Sequence, residues 1–185
     1  MPKRWEIFRK PTEVPRAYLD TCLVIGLAKE DLRRTEQDAL DELIGMWEGG
    51  RLDLVTSYVT REEIHYIPEP ARARHEALFA RIEGIPVMEF IVRLMPQLVM
   101  TNAPPTHSRP VGPLPVPAPD DDLTTLRGLL PDEADARHLF QAIKSGCDYF
   151  VTDDARSIVS RATEIESRYP IKIRLPSRLV TELDG

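Results

Sequence analysis

The chain has 185 residues, of which 42% are apolar and 29% are charged. These values are those of one soluble globular domain and exclude a disordered or membrane-embedded protein. The net charge of −6 argues against a globally basic nucleic-acid-binding surface, although local arginine patches could still grip phosphates. The N-terminus lacks the apolar core of a signal peptide, and no apolar run approaches the roughly 20 residues of a spanning helix. We therefore expect a cytoplasmic protein that has no membrane association.

The first half of the chain alternates segments with strand and helix patterns. Apolar residues at Leu40, Leu43, Ile44 and Trp47 follow the i, i+3, i+4, i+7 spacing of an amphipathic helix packed on a sheet. The predicted elements of this half are a polar arm over 2–15, a strand over 16–20, a helix over 35–47, a strand over 52–57, a helix over 60–67 stopped by Pro68, a helix over 71–83 and an extended apolar segment over 85–94.

Residues 96–119 contain eight prolines, a density that neither a helix interior nor a central strand tolerates. We interpret this stretch as an irregular or polyproline loop inserted into the domain. A loop of this length in a compact domain is usually functional or mobile. It either borders the active-site cleft or serves as a docking segment for a partner.

The second half has the clearest alternation of helices and strands. Its predicted elements are a helix over 131–145, a strand over 147–152, a helix over 155–169 and a strand over 171–175. Repeated strand–helix units of this kind favour a largely parallel sheet. The predicted fold is a three-layer α/β/α sandwich with a mainly parallel central sheet, forming a single domain over 1–185 with the proline-rich insertion at about 96–119.

Four acidic residues, Asp20, Glu63, Asp135 and Asp154, lie at predicted strand ends or in the first turns of predicted helices. In an open parallel sheet these positions line one crevice. Converging carboxylates raise one another's pKa unless a cation offsets their charge, and oxygen ligands suit Mg²⁺ or Mn²⁺ rather than zinc. Cys22 and Cys147 have no partner at zinc-ligand spacing, so we expect two buried free thiols.

Three segments of the sequence resemble the PIN domain, a family of small α/β ribonucleases that includes VapC-type toxins. The segments are Tyr18-Leu19-Asp20-Thr21, Ser57-x-x-Thr60-x-x-Glu63-Ile64, and the longer match from Asp135-Ala136-Arg137-His138-Leu139 through Gly146 to Val151-Thr152-x-Asp154. The last segment is the most specific. Together they span residues 17–154 in the family's order, although the proline-rich stretch makes this chain longer than a minimal toxin of this type.

The resemblance implies that Asp20, Glu63, Asp135 and Asp154 are catalytic acids that bind Mg²⁺ or Mn²⁺. It also implies that Thr152 orients water or a neighbouring carboxylate. Two assignments stay open at this point, because Glu62 precedes Glu63 and Asp153 precedes Asp154. Strand alternation should send the two aspartates to opposite sides.

The expected function is therefore hydrolysis of RNA phosphodiester bonds with Mg²⁺ or Mn²⁺ as the cofactor, in the manner of a toxin from a toxin–antitoxin pair. RNA is the expected substrate. An antitoxin protein and a second copy of the chain, forming a homodimer, stay open as partners.

Two other functions compete with this one. The first is a non-catalytic PIN module that scaffolds RNA or protein contacts through the proline-rich stretch. The second is a metal-dependent phosphatase of the haloacid dehalogenase type. That family has a second aspartate two residues after the first, whereas this chain has Cys22 two residues after Asp20.

Each acid also has a structural interpretation. Thr60 and Glu63 match a capping box, Asp135 could be a charge at a helix start, and Asp154 could be an N-cap. We expect His138 to be a surface or cleft-edge residue.

Overall fold

The computed structural model describes residues 14–65, 72–73, 87–88 and 121–185. Its strands are β1 (Arg16–Leu19), β2 (Asp53–Ser57), β3 (Val87–Met88), β4 (Tyr149–Val151) and β5 (Lys172–Arg174). Its helices are α1 (Thr21–Lys29), α2 (Arg34–Glu48), α3 (Tyr58–His65), α4 (Asp121–Leu129), α5 (Glu133–Lys144), α6 (Ala162–Arg168) and α7 (Pro176–Asp184). A short 3₁₀ turn, Val159–Arg161, precedes α6.

The strands pair in the order β3-β2-β1-β4-β5, and every pairing is parallel. The chain first builds the sheet outward from β1 to β3 and then returns to add β4 on the other side of β1. This reversal leaves a crevice beyond the carboxyl ends of β1 and β4, which is where ligands bind in open α/β sheets. The residues that follow Leu19 and Val151 therefore lie at this crevice.

The central strand β1 is buried on both faces, because Ala17, Tyr18 and Leu19 have no exposed surface. Alternation along the strand sends Ala17 and Leu19 into one apolar cluster and Tyr18 into another. Such burial on both faces is characteristic of parallel sheets covered by helices.

Each of the two apolar clusters belongs to one face of the sheet. The first contains Leu23, Leu43 and Leu179 from α1, α2 and α7. The second contains Leu126, Leu139 and Ile165 from α4, α5 and α6. Helices on both faces of a parallel sheet confirm the mixed α/β architecture that the sequence predicts.

Several element boundaries differ from the predicted ones. The helix predicted over 60–67 begins two residues earlier, at Tyr58, where the Ser57 hydroxyl accepts the backbone N–H of Val59 at 3.2 Å. The helix predicted over 155–169 is broken into turns, the 3₁₀ segment and α6. Helices α1, α4 and α7 were not predicted.

Part of the predicted organisation lies outside the described residues. This applies to most of the N-terminal arm, to the end of the helix at Pro68, to most of the helix over 71–83 and to the whole proline-rich stretch over 96–119. Of the extended segment over 85–94, the structure describes only β3. Within the described ranges, no helix is both long and apolar enough to cross a membrane.

Candidate functional site

Asp20 follows β1 directly and is almost fully buried, with 4% of its surface exposed. It occupies the N-cap position of α1, yet its side chain makes no capping hydrogen bond. The carboxylate instead accepts hydrogen bonds from the Thr152 hydroxyl at 2.7 Å and from the Cys22 thiol at 3.0 Å. Thr152 follows β4, so this hydrogen bond links the carboxyl ends of the two central strands. Asp20 is thus held at the crevice rather than used to start a helix.

Asp154 lies two residues beyond Thr152 and has a structural role as well as a place in the crevice. One of its carboxylate oxygens accepts the backbone N–H groups of Arg156 at 2.9 Å and Ser157 at 3.0 Å, which caps the turn after β4. Burial raises the pKa of Asp154, but the hydrogen bonds from Ser157 and Arg156 outweigh that effect and hold the pKa below its usual value. The Asp154 carboxylate therefore makes cap-like hydrogen bonds to a turn, whereas the helix predicted to begin at Ala155 does not begin there.

Asp135 comes from the first turn of α5 and meets Asp154 through one hydroxyl group. The Ser157 hydroxyl lies 2.7 Å from one oxygen of Asp135 and also contacts the second oxygen of Asp154. A hydroxyl group has a single hydrogen to donate, so it cannot donate to both carboxylates at once. Both contacts can be hydrogen bonds at the same time only when one of the two carboxyls is protonated.

The pKa of Asp135 is raised to about 6. Burial is the main cause, the hydrogen bond from Ser157 works against it, and the charges of Asp20, Asp132 and Asp154 raise the pKa further. Asp132 is the N-cap of α5, where it accepts the N–H of Ala134 at 2.7 Å. The charges of Asp20 and Asp154 thus act on Asp135, and we call these three residues the crevice acids.

Glu63 has hydrogen-bond partners of its own. Its carboxylate lies 2.8 Å from Nε2 of His138, and the hydroxyl of Thr21 is a further hydrogen-bond partner. Burial raises the pKa of Glu63, but hydrogen bonding and charge from His138, with help from Thr21 and Arg137, hold it below the usual value. The four predicted acids are therefore the three crevice acids and Glu63, whose pKa is lowered by its own partners.

His138 is 2% exposed, so the prediction of a surface or cleft-edge residue is wrong. The ring lies between the sheet and α3, with Nδ1 2.7 Å from the Tyr18 hydroxyl and Nε2 3.0 Å from the Thr21 hydroxyl. Tyr18 in turn contacts the Ser57 hydroxyl at 2.5 Å. Polar atoms on this side of β1 thus find partners within a buried network.

The capping box predicted for Thr60 and Glu63 is also wrong. Thr60 lies inside α3 and is fully buried, and its hydroxyl receives hydrogen bonds from Thr56 at 2.9 Å and Thr21 at 3.1 Å. Because α3 starts two residues before Thr60, that side chain cannot cap it. The Glu63 side chain contacts His138 of α5 instead.

The neighbouring acids of each pair have different partners. Asp153 pairs with Arg33 at 3.0 Å, on the other side of the strand end from the Asp154 cluster. Glu62 pairs with Arg137 at 2.6 Å, whereas Glu63 reaches the buried His138. Asp154 and Glu63 are the members of each pair whose side chains contact Ser157 and His138.

Both cysteines are free thiols, as predicted, but only Cys147 is buried. Cys22 is partly exposed and lies beside Asp20 and Thr152. Burial and the nearby charge of Asp20 raise the pKa of the Cys22 thiol, so it is not a thiolate nucleophile.

Several arginines of the predicted phosphate-binding patches serve intramolecular ion pairs instead. Arg34 pairs with Asp38 at 2.9 Å, and Arg174 pairs with Glu166 and Glu182, each at 2.8 Å. Arg156 is exposed and lies close enough to Asp154 for its charge to lower the pKa of that carboxyl.

The fit of a divalent cation to these residues is partial. Among the residues that the structure describes, no group of three or more His, Cys, Asp or Glu side chains is arranged to hold a metal ion. The donor chemistry fits, because the crevice acids offer carboxylate oxygens that suit Mg²⁺ or Mn²⁺. The raised pKa of Asp135 also indicates negative charge that a cation would neutralise.

The sequence prediction missed Ser157, which joins Asp135 and Asp154, and it missed the buried contacts of Thr21 and Tyr18. Ser157 lies in the first turn after Asp154, so its spacing from that acid was a usable signal. The shared partner of Thr21 and Tyr18, His138, comes from α5, and nothing in their local sequence points to it.

Comparisons of the chain with protein-family models, with curated proteins and with solved structures returned no match.

Proposed function

We propose that the protein is a metal-dependent ribonuclease of the PIN type, in which the crevice acids bind Mg²⁺ or Mn²⁺. The observation that carries this proposal is the pKa of Asp135, raised to about 6 beside Asp20 and Asp154 at the crevice of the sheet. A protein that gained only stability from these residues would not benefit from placing three like charges together. Strongly perturbed carboxyls in a crevice are characteristic of functional sites.

The chain's own residues prepare this site for a cation. Thr152 holds the Asp20 carboxylate by donating a hydrogen bond at 2.7 Å, and the turn after β4 holds Asp154 through two backbone N–H groups. Ser157 keeps Asp135 beside Asp154. When bound, a divalent cation would supply Lewis acidity, which acidifies water and offsets the charge of a phosphodiester.

RNA is the proposed substrate because of the resemblance to PIN ribonucleases. The exposed guanidinium of Arg156, close to Asp154, provides positive charge for a backbone phosphate at the edge of the crevice. A role as the toxin of a toxin–antitoxin pair, with an antitoxin protein as partner, belongs to the same proposal.

A matched pair of variants tests the ribonuclease. Asp154→Asn should lose Mn²⁺-dependent cleavage of RNA by more than about 100-fold, since even residues outside the immediate metal ligands change activity by 10- to 100-fold. Asp153→Asn removes the neighbouring carboxylate, which pairs with Arg33 instead, and should retain activity. Wild-type cleavage should stop in EDTA. Cleavage that persists in EDTA and in Asp154→Asn would contradict the proposal.

A non-catalytic PIN module that binds RNA or protein is the second candidate. It is favoured by the absence, among the described side chains, of a metal-binding group of three or more residues. The same purified protein separates the two candidates. A module that only binds would shift RNA in a gel without cleaving it, with or without Mn²⁺.

A further inference from the structure

His138 is buried at the centre of the molecule, yet the proposed chemistry of the crevice acids does not use it. Its ring joins three elements: Nδ1 contacts Tyr18 of β1, and Nε2 contacts Thr21 of α1 and Glu63 of α3. A buried histidine with a carboxylate on one nitrogen and a hydroxyl on the other is strongly oriented. The direction of these hydrogen bonds decides what the ring can do.

Nε2 of His138 must carry a hydrogen. The Glu63 oxygen that lies 2.8 Å away belongs to a carboxylate, which accepts hydrogen bonds. The Thr21 hydroxyl, 3.0 Å from Nε2, has lone pairs that can accept from the ring while its one hydrogen goes to another acceptor. On the other side of the ring, Tyr18 contacts Nδ1 at 2.7 Å, which fixes the plane of the imidazole.

We propose that His138 is a positioning residue: through its Nε2–H it holds the Glu63 carboxylate toward the crevice acids, so that Glu63 completes their metal site. This inference rests on the proposed metal-dependent function. The hydrogen bond between His138 and Glu63 does not depend on that function. His138 contacts no crevice acid and acts through Glu63.

Glu63 has reason to need such an anchor. Its side chain is 32% exposed, and a glutamate with that freedom loses substantial rotamer entropy when it is fixed. Its hydrogen-bond partners are His138 and Thr21, and Thr21 directly follows Asp20 along the chain. A hydrogen bond from a buried, rigid ring restricts Glu63 before any cation arrives, as residues behind metal ligands do elsewhere.

Two substitutions at position 138 distinguish the roles of the two ring nitrogens. Gln places an amide N–H near the position of Nε2 and can still donate to Glu63, whereas Asn places its amide near Nδ1 and can serve only Tyr18. Both remove the ring and should cost similar stability. We expect His138→Asn to weaken Mn²⁺ binding roughly 10- to 100-fold, as loss of an outer partner of a metal ligand does, and His138→Gln to stay close to wild type.

The affinities are measured by isothermal titration of the full chain with Mn²⁺, with thermal melting in EDTA as the measure of folding. Equal Mn²⁺ affinity in the Asn and Gln variants, whether both are weakened or both are unchanged, would overturn the positioning role.

A second measurement keeps this inference separate from the proposed function. Nitrogen-15 NMR of the wild-type imidazole should show that Nε2 of His138 is protonated, and Glu63→Gln should shift its resonance, while Glu62→Gln should not because Glu62 pairs with Arg137. An unprotonated Nε2, or an equal response to both substitutions, would overturn the inference even if the protein is a ribonuclease. Wild-type protein that neither binds Mn²⁺ nor cleaves RNA would contradict the proposed function, and it would also remove the metal site that His138 is proposed to serve.

Discussion

Two carboxyl groups at different places on the sheet have opposite surroundings. Glu182 of α7 accepts hydrogen bonds from Lys172, from Arg174 at 2.8 Å and from the Tyr149 hydroxyl at 3.1 Å, and its pKa is lowered to about 2. Asp135 contacts the Ser157 hydroxyl, which also contacts Asp154, and the pKa of Asp135 is raised to about 6.

The two pKa shifts differ because acidic residues outside and inside the crevice have different neighbours. At the edge strand β5, two cations neutralise Glu182, and the cluster is complete without any further group. In the crevice, burial and like charges leave Asp135 uncompensated. Only the second arrangement leaves negative charge for a cation to neutralise, and this difference, rather than the number of acids, identifies the candidate site.

The largest expected effect is on the pH dependence of stability. The pKa of Asp135 is raised from 3.8 to about 6 on folding, so between these values the folded state keeps a proton that the unfolded chain has lost. Its contribution to stability should therefore fall by on the order of 2 kcal/mol as pH rises from about 4 to about 6.

Urea unfolding in EDTA across that pH range measures this effect, with Asp135→Asn as the comparison. The variant should lack this part of the decline and become more stable than wild type near neutral pH. A variant that follows the wild-type curve would show that Asp135 is not destabilised by its surroundings.

Glu182 should behave in the opposite way and with a smaller effect. Its pKa is lowered from 4.5 to about 2, so its contribution is present above about pH 4.5 and is lost as pH falls toward 2. Because the group is near the surface, Glu182→Gln should cost only about 1 kcal/mol at neutral pH. Urea unfolding at low salt and in 1 M NaCl measures it, and the cost should shrink in salt. A cost that salt does not change would mean that packing, not charge, holds this cluster.

The smallest expected effect concerns Ser157. Its hydrogen bond lowers the pKa of Asp135, so Ser157→Ala should raise that pKa further while changing the free energy of unfolding by about 1 kcal/mol or less. An NMR titration of the Asp135 carboxyl, with Ser160→Ala as a control one turn away, measures the shift. A fall in the pKa of Asp135 would contradict the arrangement in which Ser157 donates to these acids.

The sheet was predictable because its signals are local. Continuous apolar runs and alternating helices predicted β1, β2, β4, β5, α2 and α5, and parallel order then brings the strand ends to one edge. Helix α7 was missed although Pro176 at its start is a helix-initiation signal. Helix α1 has a largely apolar sequence with no clear stripe, so periodicity gave little evidence of it.

The site was predictable only in part. Asp20, Asp135 and Asp154 lie at strand ends or in a first turn, and backbone position decides where these short side chains lie. Glu63 differs because it has a longer side chain and a partner, His138, that is 75 residues away in sequence. Neither the rotamer of Glu63 nor the burial of His138 follows from local spacing, so their association needed the structure.

The central claim is that the crevice acids form a cation site and that the Glu182 cluster does not. Isothermal titration of Mn²⁺ into wild type, Asp135→Asn and Glu182→Gln tests this claim directly. We predict saturable binding to wild type and to Glu182→Gln, and loss of that binding in Asp135→Asn. Binding that is unchanged in Asp135→Asn, or its absence from the wild type, would contradict the claim.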